Sequence, residues 1–146
     1  ELRSASLKVA QEALAQCEGY GQRCVRFLLG ALQTSTVQAR ADAVHDAVWM
    51  LYKVSKGSDT ARAWILQADG VLVVQAALVA NSGESELLEN GIWLVYALDG
   101  VHGFAQVLQR SQGDSGPELA VRSSLCWAVY ELTCGGKHRA PEVMQE

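Results

Sequence analysis

Only two prolines occur in the 146 residues, Pro117 and Pro141. A chain with 49% hydrophobic residues and so little proline is neither a linker nor a disordered tail, because it carries apolar surface enough to build a core. Long hydrophobic runs are missing as well. The longest, Gly70–Ala80, is interrupted by Gln75 and falls well short of the roughly 20 apolar residues of a membrane-spanning helix. No direct membrane insertion is expected. No basic-then-apolar leader opens the chain, and position 1 is Glu rather than Met. These features read as a processed product or a piece of something longer, working inside the cell, in the cytoplasm.

Metal and redox motifs are also absent. Cys17, Cys24, Cys126 and Cys134 form no Cys-x-x-Cys pair and show no ligand spacing with His45, His102 or His138, so no metal site is expected. Reduced thiols in an intracellular protein are the simpler reading, with Cys126 buried as a small hydrophobe. Positive charge is scarce: 12 Lys and Arg against 16 Asp and Glu, a net charge of −4. Residues 1–56 carry seven cations against five acids, whereas residues 57–131 carry three against nine. A nucleic-acid footprint needs a basic face, and this chain turns acidic over most of its length; no nucleic acid is expected.

No phosphate loop, nucleophile elbow, dinucleotide fingerprint or His-Glu-x-x-His is present. His45 and Asp46 are neighbours in sequence, which on a helix does not make a base and its orienter. Glu86 and Glu89 lie one turn apart, as ordinary charges of an exposed face do. No catalytic residue, cofactor or enzyme activity is expected.

What is present is a repeat. With 100° per residue, the stretch Glu86–Gly100 puts Glu86, Glu89, Asn90, Trp93, Tyr96, Ala97 and Gly100 on one side. Leu87, Leu88, Gly91, Ile92, Leu94, Val95 and Leu98 cover the rest. Such a helix is buried on both flanks and leaves one exposed stripe, centred on Trp93. The pattern recurs around Trp49, with Asp42, His45, Asp46, Tyr52, Lys53 and Lys56 on the stripe and Ala43, Val44, Ala47, Val48, Met50, Leu51 and Val54 beneath. It recurs again around Trp127. There Ala120, Ser123, Ser124, Tyr130, Glu131 and Cys134 flank the ring, over Val121, Leu125, Cys126, Ala128, Val129 and Leu132, with Arg122 an exception on the apolar side. All three share Trp-x-[Leu/Val]-Tyr-x-[Val/Leu] and end near a glycine.

Turn and cap signals divide the remainder. A helix over 1–18 ends at Glu18-Gly19-Tyr20-Gly21, and Gln22–Gln33 makes the next, with Val25, Leu28, Leu29 and Leu32 on one face. Ser35-x-x-Gln38 opens the Trp49 helix. Gly57-Ser58-Asp59 closes it and caps a short helix, Asp59–Ala68, in which Trp64 packs into the core. Asp69-Gly70 stops that helix before Val71–Ala80. Val101–Gln109 is a helix after Gly100, and Ser115-x-x-Glu118 with Pro117 starts the Trp127 helix, which Gly135-Gly136 ends.

The run TARAWILQADGVLVVQAALVANSGESELLENGIWLVYALDG resembles one complete three-helix unit of the armadillo repeat family. The Ala-Asp-Gly end of its first helix, the apolar second helix and the Trp-x-[Leu/Val] of the third carry the likeness. The 44 residues from Trp49 to Trp93 fit the ~40–47 of HEAT and armadillo units. The 34 from Trp93 to Trp127 match a unit that has lost its first helix. The resemblance implies an all-α fold, a right-handed superhelical solenoid of armadillo/HEAT-like repeats forming a single array over 1–146. Its parts would be a partial preceding unit (1–20), a unit (21–57), a complete unit (58–100), a shortened unit (101–136) and the start of a further, incomplete one (137–146).

It further implies a non-catalytic scaffold or adaptor whose third helices line one concave surface. The expected partner-binding stripe is Asp42, Asp46, Trp49, Tyr52, Lys53, Glu86, Glu89, Asn90, Trp93, Tyr96, Ser124, Trp127, Tyr130 and Glu131. Peptide-binding members of the family place an asparagine four residues after the Trp, where Lys53, Ala97 and Glu131 stand here, which argues against a nuclear-import receptor. The acidic later stripe with its rings suits a protein partner offering a basic, extended segment. The alternative is a structural segment of a larger multi-subunit assembly, packed against neighbouring subunits, with the rings spreading adjacent helices. Gly91, where the other units carry Ala47 and Leu125, is expected to admit a close neighbour.

Overall fold

The structure, a computed structural model, describes residues 18–34 and 41–135, together with isolated helical positions at Lys8, Val9 and Glu12. Most of the helix expected over 1–18, the Ser35-x-x-Gln38 signal, Gly136 and the segment 137–146 lie outside the described residues. Among the described residues the chain is all-helical, with no strand. The helices are α1 (Glu18–Thr34), α2 (Ala41–Gly57), α3 (Asp59–Gln67), α4 (Gly70–Ala80), α5 (Ser85–Arg110) and α6 (Gly116–Tyr130), followed by a π-turn, Glu131–Gly135.

The boundaries follow from local chemistry. Ser58 caps α3, its hydroxyl accepting the Ala61 N–H at 3.1 Å, as an N-cap serine does for an orphan donor. Asp69 then takes a left-handed conformation, φ 54°, and the chain bends by 74° into α4. The bend is tight enough that a side chain on Gly70 would meet the Ile65 carbonyl oxygen at 2.6 Å. Gly100 breaks α5 at φ 58°, ψ −141°, a conformation open only to glycine. The helix is therefore two arms, 85–99 and 101–110, as the glycine pattern predicts. Ser115 caps α6 through the Glu118 N–H at 3.3 Å. The Glu118 carboxylate accepts from the Gly113 N–H and, at 3.1 Å, from the Ser115 hydroxyl.

One boundary differs. The helix α1 begins at Glu18 and runs through Gly19 and Gly21, which the sequence reading takes as a stop. Glycine weakens a helix by about 1 kcal/mol without forbidding it, and Gly21 is buried.

Beside a small second cluster of Val54 and Ala61, one core joins all six helices. The helix α4 lies at its centre, with Val71, Val74, Ala77 and Leu78 buried, and α5 packs on both α2 and α4. The expected core set of the first arm, Leu87, Leu88, Gly91, Ile92, Leu94, Val95 and Leu98, is buried throughout. Trp64 is half-buried against the same core. Gly91 admits Leu78: an added Cβ would lie 2.9 Å from Leu78 Cδ1 and 3.0 Å from Cγ. On α2, Ala43 is exposed rather than buried.

The two polar residues that interrupt apolar faces have partners across helices. Gln75 of α4 donates to the hydroxyl of fully buried Ser111 at 3.1 Å. Arg122 of α6 donates to the Ser111 carbonyl and to the Gly113 carbonyl at 2.7 Å. Buried polar groups demand such bonds, and here they tie the 111–113 turn between α4 and α6.

Candidate binding groove

Three helices carry the Trp motif, and they are successive neighbours: α2 packs on α5, and α5 on α6. Side chains of the expected stripe meet across the first pair. Asn90 Nδ2 lies 3.2 Å from His45 Nε2, and Glu86 Oε1 lies 3.6 Å from the same nitrogen. Across the second pair, the first arm of α5 and α6 enclose an open groove of about 290 Å³. Ser85, Glu89, Ile92 and Trp93 line one wall; Ser123, Ser124, Trp127 and Ala128 line the other. Periodicity puts Glu89, Trp93, Ser123, Ser124 and Trp127 of these on the stripe. Ser85, Ile92 and Ala128 are not legible as lining residues, because each becomes one only where two helices diverge.

Burial along the stripe is graded. Asp42, Lys53, Glu86 and Glu89 are exposed, while Asp46, Trp49, Tyr52, Asn90, Tyr96, Ser124 and Glu131 are half-buried. Trp93, expected at the centre of an exposed stripe, is only 8% exposed. Tyr96 stands perpendicular to it with centroids 6.0 Å apart, and α6 lies alongside, so little of the indole reaches the groove. Trp127 and Tyr130 are 59% and 52% exposed, stacked with centroids 5.5 Å apart at 28°. Cys126 and Val129, expected beneath them, are exposed. The reason is packing on one side: only the face with Val121, Leu125 and Ala128 is buried.

The three ring pairs also differ in what stands beside them. On α2, Lys53 Nζ sits 5.7 Å from the Trp49 centroid and 5.8 Å from that of Tyr52. Lys56 Nζ lies 5.3 Å from the Tyr52 ring and donates to its hydroxyl at 3.4 Å. These distances are within the ~6 Å reach of cation–π attraction. On α5 the ring pair is completed by Phe104 of the second arm, 5.5 Å from Tyr96.

The chain matches no protein-family model, no curated protein and no solved structure. Among the described residues, no three His, Cys, Asp or Glu side chains gather as metal ligands, and Cys24, Cys126 and Cys134 are free thiols. Among the same residues, no single helix is long and apolar enough to cross a membrane.

Proposed function

We propose that this chain is a non-catalytic protein–protein interaction module, a scaffold or adaptor within the cell, built as a right-handed solenoid of armadillo/HEAT-like repeats. A partner segment lies along the surface of α2, the first arm of α5 and α6. The observation that carries the reading is the groove between α5 and α6, where the exposed ring of Trp127 stands across from Glu89. Amphipathic rings at the wall of a groove are favoured anchors for protein partners. The stripe carries Glu86, Glu89 and Glu131 over its later part, so the partner offers a basic, extended segment held by screened charges and ring contacts.

The test is a peptide array probed with the 146-residue chain, followed by Trp127→Ala and Ser124→Trp, which respectively empty and fill the groove. Both variants should weaken the peptides selected by wild type by about tenfold or more, as loss of an anchoring aromatic does. Unchanged binding in both would refute the reading.

A second reading has its own support. Phe27 at 76% exposure and Val101 at 71% lie on α1 and the second arm of α5, on helices that do not line the groove. In that reading the chain is a structural segment of a multi-subunit assembly, and Phe27→Ser/Val101→Ser disrupts assembly while leaving peptide binding intact.

A further inference from the structure

The helix α2 packs on α5, and α5 on α6, so the first two Trp helices each have the next one beside them. Among the described residues no helix follows α6 beyond its π-turn, and the outer side of α6 stays open. Leu119 is 47% exposed, Trp127 59% and Tyr130 52%, with Ser123, Cys126 and Thr133 exposed among them. Leu119, Ser123, Cys126, Tyr130 and Thr133 succeed one another by steps of four and three residues. That 3.5-residue period is the one by which a helix presents a straight seam to another helix. No charge interrupts it. Glu118 accepts from the Gly113 N–H and the Ser115 hydroxyl, and Arg122 donates to the 111–113 turn. Both, like Glu131, are half-buried and stand off the seam.

We propose that a second copy of the chain docks on this seam, with the two α6 helices antiparallel about a two-fold axis between Cys126 and Trp127. The inference goes beyond the interaction-module reading and does not depend on it. The order of sizes along the seam is what selects this occupant. With the axis at that place, Tyr130 of each copy comes level with Ser123 of the other, and Leu119 with Thr133, so a large side chain meets a small one in each layer. The two Cys126 thiols face each other on one side of the axis, and the two Trp127 rings meet on the other. A parallel pairing in register would set Tyr130 on Tyr130 and Ser123 on Ser123, crowding one layer and emptying the next. A charged segment is disfavoured, because the seam offers it no counter-charge on desolvation. Size sets the strength. Residues 119–133 span roughly 21 Å of helix, and a contact of that length buries on the order of 1,000 Å² in total, the low end of specific interfaces. The dimer is therefore weak, with a dissociation constant of about 10–100 µM. Leu119, Cys126, Tyr130 and Thr133 do not line the groove, so self-association and peptide binding can be separated.

Sedimentation of the 146-residue chain from about 1 to 300 µM should show monomer passing to dimer. Cys126→Arg and Cys126→Asp each place like charges at the axis, and each should raise the dissociation constant by about tenfold or more. An equimolar mixture of the two should recover the dimer, and recovery cannot come from damage to the fold. A short bismaleimide, which joins two thiols by addition, should link wild type and Cys134→Ser into a covalent dimer but not Cys126→Ser. A monomer throughout the range overturns the inference, and so do single variants that dimerise as wild type does or a mixture no better than its components. Cross-linking that survives Cys126→Ser, or a dimer lost only in Phe27→Ser/Val101→Ser, puts the contact elsewhere and overturns it too. If the selected peptides bind Trp127→Ala and Ser124→Trp as they bind wild type while the charge-paired mixture dimerises, the groove reading falls and this inference stands.

Discussion

Alanine at position 91 probes a close approach between α4 and α5 in the core. Removing a glycine from a helix interior by itself stabilises by about 0.5–1 kcal/mol. Here the new methyl would stand 2.9 Å from Leu78 Cδ1 and 3.0 Å from Cγ. Leu78 has no exposed surface into which it can swing. Overpacking of this kind costs about 1–3 kcal/mol, so the collision outweighs the helix gain and Gly91→Ala is expected to lose about 1 kcal/mol net. Gly91→Leu, three carbons larger, should lose about 3 kcal/mol. Leu78→Ala alone should cost about 2–5 kcal/mol. In that background, with the δ-methyls gone, Gly91→Ala should become stabilising, leaving a coupling of about 1–3 kcal/mol between the two sites. Urea unfolding followed by far-UV circular dichroism measures all four corners of the cycle, with a constant m-value showing that only stability has changed. A wild-type background in which Gly91→Ala gains its full helix increment, with no coupling to position 78, would refute the reasoning.

Two further perturbations separate other causes. A Cβ at Gly100 meets nothing within 4 Å, so Gly100→Ala is a test of backbone strain alone; at φ 58°, ψ −141° it should cost about 1–3 kcal/mol, seen as a lower melting temperature, whereas an unchanged melt would mean the break relaxes into continuous helix. Arg122→Met keeps the stem and removes the donors to Ser111 and Gly113; it should cost about 1–3 kcal/mol and speed amide exchange on both sides of the 111–113 turn, and unchanged exchange there would show that Gln75 holds the turn by itself.

Helix positions were legible because punctuation and period agree. Ser58, Asp69-Gly70, Gly100 and Ser115 each act through one local conformation or one hydrogen bond, and such signals survive in sequence. The buried set of the first arm was legible for the same reason: seven apolar positions leave a single side open. Coverage was not legible. Periodicity assigns an angle around the helix axis, and Trp93 and Trp127 share that angle, yet 8% and 59% exposure separate them. The difference comes from α6 lying beside one and from the lack of a comparable neighbour for the other among the described residues. Cys126 and Val129 were misplaced by the same ambiguity, since an apolar residue records what it tolerates and not which neighbour arrives. The groove combines Glu89 with Ser124, and the 111–113 turn combines Gln75 with Arg122. Pairings at such separation have no local signature; the only trace of the second was that a polar residue interrupted each of two apolar faces.

The order in which these helices leave the ribosome gives the position of α4 a further meaning. It is the most uniformly apolar element, and its cover comes after it: α5 is complete only at Arg110, 30 residues beyond Ala80. At roughly 5–20 residues per second, α4 waits on the order of 1.5–6 s with the Leu78 side of its surface unoccupied. Helices form in about a microsecond and collapse in well under a millisecond, so α1 to α4 have time to settle onto one another and present that surface to the cell. During synthesis this half-built core keeps its apolar Leu78 surface uncovered until the chain that follows packs Gly91 against it.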